Sequence, residues 1–202
     1  MRGSSTTLYD GSPRPTHHSE QFVYWACKEA DGVPCVQGTF VETALEVLTK
    51  QGACLAETWP HQPLLIGPTE GQGPPPQGAE EEAAQYRLEG GAMVSAGEVD
   101  GMRALLDDGH PVVLTVLTFD SWDYPSVADT GDVQMPLPDT QDDGAHAVCL
   151  VGYELRPEHP GGGAFIFRNS WGTGWAPQSR FRRGYGTLPF AYVRLYGEEA
   201  LA

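Results

Sequence analysis

Residues 144–153 read GAHAVCLVGY, and residues 168–175 read RNSWGTGW. His146 begins a run that predicts a strand over residues 146–153, and Asn169 ends the next predicted strand, residues 164–169. An asparagine in this position can hydrogen-bond to an imidazole nitrogen and fix its tautomer. Such a pair is the base and the orienting group of a nucleophile–base–orienter site, and here it indicates a thiol hydrolase.

The nucleophile of such a site is harder to find in this sequence. Side chains alternate along a strand, so His146, Val148 and Leu150 share one face and Cys149 lies on the other. Cys149 is therefore not the thiol that His146 would activate. The remaining cysteines form no CxxC pair and no zinc spacing, and they are Cys27, Cys35 and Cys54.

The order of predicted elements is helices first and strands second, which favours the α+β class. Ser19 predicts the cap of a first helix, while Thr39 and Ser95 open capping-box patterns for two more. The Gly- and Pro-rich stretch 63–91 predicts an exposed connection. Further strands are expected at residues 112–117, 184–188 and 191–196, with a long loop after the first of them. The predicted organisation is an irregular lead-in over 1–18, an incomplete helical lobe over 19–85, and a β-rich lobe over 86–202.

Composition limits the classes of partner. The chain has 202 residues, with 27 acidic and 12 basic side chains and a formal net charge of −15. This charge argues against nucleic acid and against membrane surfaces as partners. The N-terminal residues contain no apolar signal-peptide core, so a cytoplasmic location is favoured, with secretion of a longer precursor as the alternative. No cofactor is expected, and no metal site either, because the adjacent His17 and His18 point apart in most backbones.

Several ordered blocks together resemble the papain-like cysteine peptidases, and in particular their bacterial branch. The blocks that carry the resemblance are residues 19–22, 38–39, 57–61, 146–153, 168–175 and 184–193. The resemblance implies two lobes, one helical and then one β-barrel-like. It implies that His146 is the general base and acid, that Asn169 orients it, and that Trp171 covers their hydrogen bond. Gly38, Thr39 and Ala145 would bind a polypeptide substrate, the first two through backbone groups.

The sequence departs from this family at one decisive place. In the family, the catalytic cysteine opens a central helix before the Ser-Glu-Gln segment, yet here the 18 residues before Ser19 contain neither Cys nor Gln. Cys27 lies in the later helix, which the family does not bring to the histidine. The central catalytic helix is thus expected to be absent from this chain and the nucleophilic cysteine to lie on a separate chain or missing segment. A second protein chain would fill that position, and this chain alone would be inactive.

Two other functions are compatible with the same residues. The chain could be a catalytically inactive papain-like module that binds a partner or serves as a scaffold. It could also carry out another reaction, such as acyl or amide transfer, on the same fold. Peptide-bond hydrolysis in a two-chain assembly is favoured, because a scaffold requires neither His146 nor Asn169.

Overall fold

The computed structural model describes residues 16–64 and 69–202. Most of the predicted lead-in, residues 1–15, therefore lies outside the described residues. The described chain separates into two compact units, one ending at Ala92 and the other comprising Met93–Ala202. We call them the helical unit and the sheet unit.

Among its described residues, the helical unit contains three helices. Helix α1 spans Glu20–Ala30, α2 spans Val41–Lys50 and α3 spans Ala79–Ala83. The predicted cap of α1 is present, since the Ser19 hydroxyl accepts a hydrogen bond of 2.9 Å from the Phe22 N–H. The apolar core of this unit draws on all three helices and on the loop after α2, and it includes Phe22, Cys27, Val47, Trp59, Ala79 and Ala83.

Two details of this unit differ from the sequence prediction. Helix α2 exists, but its cap residue is Phe40, without a side-chain cap, because the Thr39 hydroxyl donates to Asp31 instead. The connection predicted over 63–91 is not uniformly exposed, since Ala79 and Ala83 are fully buried. These two alanines are four positions apart on α3, so they present one small apolar face to the core.

The sheet unit is a six-stranded antiparallel sheet, counted over the described residues, with the strand order β1-β6-β2-β3-β4-β5. Three further helices are described in this unit, and the second of them follows a short 3₁₀ turn at Asp120–Asp123. The strands are Met93–Val94 (β1), Val112–Thr118 (β2), Gly144–Leu155 (β3), Gly163–Arg168 (β4), Tyr185–Pro189 (β5) and Gly197–Leu201 (β6). The helices are Val99–Asp107 (α4), Pro125–Thr130 (α5) and Phe190–Tyr196 (α6).

The end of the chain corrects one strand prediction. Residues 191–196 are helical and belong to α6, because Phe190 and Val193 are three positions apart and are buried on one helical face. The last strand is β6, whose sequence GEEAL has two glutamates and little strand character. In addition, α4 begins at Val99 after Glu98, so Ser95 does not cap it.

Three helices come before the first strand, the other three alternate with the antiparallel strands, and the predicted α+β class is confirmed. The core of the sheet unit is rich in aromatic side chains, and these include Phe119, Trp122, Phe165, Phe167, Trp175, Phe190 and Tyr192. The polar pair predicted from the sequence lies beside this aromatic core.

Candidate active site

His146 and Asn169 are brought together by two neighbouring strands. His146 lies on β3, and Asn169 follows the last residue of β4, which pairs antiparallel with β3. The Nε2 atom of His146 is 2.8 Å from Oδ1 of Asn169. Asn169 is held in place by its own N–H, which donates to the Gly184 carbonyl at 2.9 Å. The structure therefore places the two residues as the sequence predicts.

A second hydrogen bond fixes which way the Asn169 amide faces. The Ser170 N–H donates to the same Oδ1 atom at 2.8 Å, so this atom is an acceptor and must be the amide oxygen. Nε2 of His146 is consequently the donor, and in the neutral ring Nδ1 carries the lone pair. Nδ1 has no hydrogen-bond partner in residues 16–64 and 69–202, so it is the nitrogen left to accept a proton.

Two tryptophans flank the imidazole. The ring centroid of Trp171 is 4.9 Å from that of His146, with an angle of 32° between the planes. Trp122 meets the same imidazole edge-on at 5.8 Å and 83°, and contacts Trp171 at 5.9 Å. Trp171 is 44% exposed, whereas Asn169 is only 5% exposed. Trp171 therefore lies beside the imidazole whose hydrogen bond it is predicted to cover.

Trp122 was missed by the sequence analysis, as was the tyrosine that holds it. The indole N–H of Trp122 donates to the Tyr192 hydroxyl at 2.8 Å, and that hydroxyl donates to the Leu117 carbonyl at 2.8 Å. Burial raises the pKa of Tyr192, so the hydroxyl stays a donor. A tryptophan within an otherwise polar loop was the available signal, because such a side chain rarely remains in solvent.

The Nδ2 atom of Asn169 and the Nε1 atom of Trp175 are buried donors near this site. Neither has a hydrogen-bond partner among the residues that the structure describes. A buried donor without an acceptor costs about 1–3 kcal/mol. A bound water molecule or an additional acceptor group would remove this cost.

Cys27, Cys54 and Cys149 are in surroundings that disfavour the thiolate form. Burial raises the pKa of Cys27 to about 11. Burial also raises the pKa of Cys54 and of Cys149. A catalytic thiol needs a lowered pKa. Val148 and Leu150, which flank Cys149 on β3, are both buried, as expected if Cys149 lies on the opposite face from them and from His146.

The predicted substrate-binding residues fall into two places, which we describe separately. Ala145 is exposed on β3 next to His146 and pairs with Leu117 of β2. Gly38 and Thr39 are exposed residues of the helical unit, immediately before α2. The Gly38 N–H donates to the Tyr24 hydroxyl at 3.1 Å, and its carbonyl accepts from Nζ of Lys28 at 2.9 Å.

Within the described ranges, no group of three or more His, Cys, Asp or Glu side chains is arranged to hold a metal ion. The helices found there are all too short or too polar to cross a lipid bilayer.

The profile of the papain family cysteine proteases matches residues 6–187, and the chain therefore belongs to this family. An uncharacterized peptidase C1-like protein of Acanthamoeba polyphaga mimivirus is 29% identical over 163 residues, which cover 77% of this chain and 48% of that protein. The chain thus spans about half the length of this curated relative.

Solved structures resemble the chain as well. Xylellain, a cysteine protease from Xylella fastidiosa, has a TM-score of 0.76 at 23% identity, over 91% of this chain and 68% of xylellain. Procathepsin L 3 from the larval midgut of Tenebrio molitor has a TM-score of 0.65 at 20% identity, over 93% of this chain and 55% of the zymogen. These similarities show the fold, and the predicted papain-like class is confirmed.

Proposed function

We propose that this chain supplies the histidine–asparagine half of a cysteine peptidase site that hydrolyses peptide bonds. The observation that carries the proposal is the 2.8 Å hydrogen bond from Nε2 of His146 to Oδ1 of Asn169. The Ser170 N–H on the same oxygen leaves a single tautomer, with the lone pair on Nδ1. This is the state in which an imidazole can take a proton from a thiol.

In the proposed reaction, Nδ1 of His146 both takes up and gives back a proton. Nδ1 takes the proton of a cysteine thiol, and the thiolate sulfur attacks the carbonyl carbon of the scissile bond. The C–N bond then breaks as the imidazolium returns this proton to the leaving amine, and a thioester remains. Nδ1 next takes a proton from water, whose oxygen displaces the sulfur, and the returned proton regenerates the thiol. Asn169 holds the ring throughout, and Trp171 and Trp122 limit access of water to their hydrogen bond.

The thiol itself is proposed to come from a separate chain or from a segment beyond this sequence. Cys27, Cys54 and Cys149 all have raised pKa values through burial, which is the reverse of what a nucleophile needs. The substrate would be a polypeptide, as the family membership suggests.

A second candidate is a binding or scaffold module without catalysis. The same raised pKa values favour it, because the chain then needs no reactive thiol. In that case His146 and Asn169 would retain their hydrogen bond only as a structural link between β3 and β4.

Labelling with a thiol-reactive probe distinguishes the two candidates. The tagged chain is purified from its native cells with everything that accompanies it, treated with a biotinylated peptide epoxide, and analysed by intact mass. We expect the label on a second polypeptide, with a labelling rate reduced at least about 100-fold in His146→Ala. The exposed His110 provides the control, since His110→Ala should label like the wild type.

Each other outcome has a defined meaning. Label on a cysteine of this chain would contradict a nucleophile from elsewhere. Absence of label on every polypeptide would support the scaffold function and contradict the peptidase.

A further inference from the structure

A buried ion pair lies beneath the loop that leads to Gly38 and Thr39. Nζ of Lys28 is 2.7 Å from Oδ2 of Asp31, and the two side chains are only 1% and 0% exposed. Both side chains of the pair also make hydrogen bonds to neighbouring residues. Lys28 also donates to the Gly38 carbonyl, while Asp31 accepts from the Val33 N–H at 2.9 Å and from the Thr39 hydroxyl at 3.1 Å.

Tyr24 makes a second side-chain hydrogen bond to Gly38. It lies one turn before Lys28 on α1, so both side chains project from one face of the helix. Its hydroxyl accepts from the Gly38 N–H at 3.1 Å. Gly38 has φ +86 and open space where a Cβ would lie, so its backbone conformation alone favours glycine. Both main-chain groups of Gly38 are thus bound by side chains of α1.

Thr39, the residue after Gly38, differs from it in the hydrogen bonding of its main chain. Thr39 is exposed, and neither its N–H nor its carbonyl hydrogen-bonds to another residue in the described part of the chain. Its hydroxyl is bound to Asp31, so the side chain is held at one place. An exposed residue with both main-chain groups unoccupied can pair with an extended peptide by strand addition.

We propose that Tyr24, Lys28 and Asp31 are positioning residues, which fix Gly38 so that the main chain of Thr39 pairs with the main chain of a peptide. This inference rests on the proposed function, because it assumes a polypeptide substrate. It also assigns a reason to the buried ion pair. Such pairs contribute little net stability, and a role in fixing the position of a backbone segment explains the cost of burying them.

We call the hydrogen bonds that link Tyr24 and Lys28 to Gly38 the clamp. Hydrogen exchange tests this clamp without an activity assay. In Tyr24→Phe, the Gly38 N–H loses its acceptor, and its exchange should accelerate about 10-fold. Lys28→Met should do the same through the carbonyl. Tyr24→Phe is the gentler variant and keeps the test valid if Lys28→Met does not fold. The control is Lys50→Met, which removes an ammonium from an exposed pair on α2.

Peptide binding tests the role assigned to Thr39. The ¹⁵N-labelled chain is titrated with an N-acetylated peptide amide of alternating alanine and leucine, and with an analogue N-methylated at its central residue. The Thr39 amide resonance reports the contact. Wild type should bind the parent peptide about 5-fold more tightly than the methylated one, since one main-chain hydrogen bond is lost. In Tyr24→Phe and Lys28→Met this preference should disappear, while Lys50→Met should keep it.

The outcomes separate the clamp from the proposed function. A preference for the parent peptide that survives both clamp substitutions, or unchanged exchange at Gly38, would contradict the clamp alone. Absence of any peptide binding by wild type, with exchange accelerated as expected, would contradict the peptide role of Thr39, whereas the proposed function is decided by the labelling experiment.

Discussion

The sheet unit and the helical unit hold their functional residues by different physical means. In the sheet unit, the contacts of His146 are neutral: the Asn169 amide and the rings of Trp122 and Trp171. In the helical unit, the Gly38 N–H donates to the neutral Tyr24 hydroxyl, but its carbonyl accepts from an ammonium that is paired with the Asp31 carboxylate. Only the second site therefore includes a buried ion pair.

This difference fits the roles that we propose for the two sites. A base that takes and returns protons needs one tautomer, and neutral partners fix that tautomer without placing a fixed charge beside the ring. A backbone segment that binds a peptide needs a fixed position, which charge-assisted hydrogen bonds provide well. Substitutions in each unit test this difference.

The largest effect is expected at the buried ion pair. Lys28→Met leaves the Asp31 carboxylate buried without its cation, and the free energy of unfolding of the helical unit should fall by about 3–5 kcal/mol. Urea denaturation followed by hydrogen exchange in α1 and α2 measures this loss. Lys50→Met, in a pair whose side chains are 71% and 56% exposed, should cost less than about 1 kcal/mol. Equal losses in the two variants would show that Lys28 is not held by buried charge.

A smaller loss is expected at the tyrosine behind the active-site tryptophan. Tyr192→Phe leaves the Trp122 indole N–H and the Leu117 carbonyl buried without a partner, which should cost about 1–3 kcal/mol. Thermal unfolding and the NMR line width of the His146 ring measure stability and ring order. Tyr196→Phe is the matched control, because Tyr196 packs against Tyr192 only through its ring. If the two variants behave alike, the Tyr192 hydroxyl does not position Trp122 beside His146.

Removal of the side-chain cap of α1 should reduce stability by a similar or slightly smaller amount. The Ser19 hydroxyl accepts from the Phe22 N–H and donates to the Trp59 carbonyl at 2.6 Å, so Ser19→Ala should destabilise the helical unit by about 1–2 kcal/mol. Chemical denaturation measures the change. Ser95→Ala removes the serine that the sequence predicted as a cap and that caps no helix in the structure. It should be neutral within about 0.5 kcal/mol, and a loss equal to that of Ser19→Ala would overturn the assigned helix starts.

The smallest effect concerns the ion pair between Arg180 and Glu154, which links the segment after Trp175 to β3. Although burial opposes it, the Arg180 guanidinium lowers the pKa of Glu154 below its usual value. A lowered folded-state pKa stabilises the protein above the unfolded pKa, and this stability is lost as pH falls through the folded pKa. Because Arg180 is partly exposed, the contribution at neutral pH should be less than about 1 kcal/mol.

Denaturation curves across the acidic range test this pair. Arg180→Gln should lower stability at neutral pH and converge with wild type in acid, where Glu154 is protonated in both. Arg183→Gln, at an exposed position, should follow the wild-type curve at every pH. A constant difference between Arg180→Gln and wild type would exclude an ionic origin.

The sequence predicted those features that depend on neighbouring residues. Ser19 signalled the start of α1, and short apolar runs signalled β3 and β4. Since consecutive strands usually pair, His146 and Asn169 could be expected to meet. The short run at residues 190–196 fits both a strand and a helix, so periodicity alone could not identify α6.

Features set by burial of distant residues could not be predicted in the same way. Lys28 and Asp31 are a charged pair three positions apart, and such pairs usually lie on the surface. Their burial depends on the loop that carries Val33 and Gly38 over them. The contact of Trp122 with His146 likewise depends on Tyr192, which is 70 positions away along the chain.

The tautomer of His146 is the most direct test of the central claim, that this histidine is held as a base with Nδ1 ready to take a proton. Long-range ¹H–¹⁵N NMR at mildly alkaline pH assigns the protonated nitrogen, and the His146→Gln spectrum identifies the resonance. We predict protonated Nε2 and bare Nδ1 in wild type, and a mixture of tautomers in Asn169→Ala. Protonation of Nδ1 in wild type, or a spectrum unchanged in Asn169→Ala, would contradict the account.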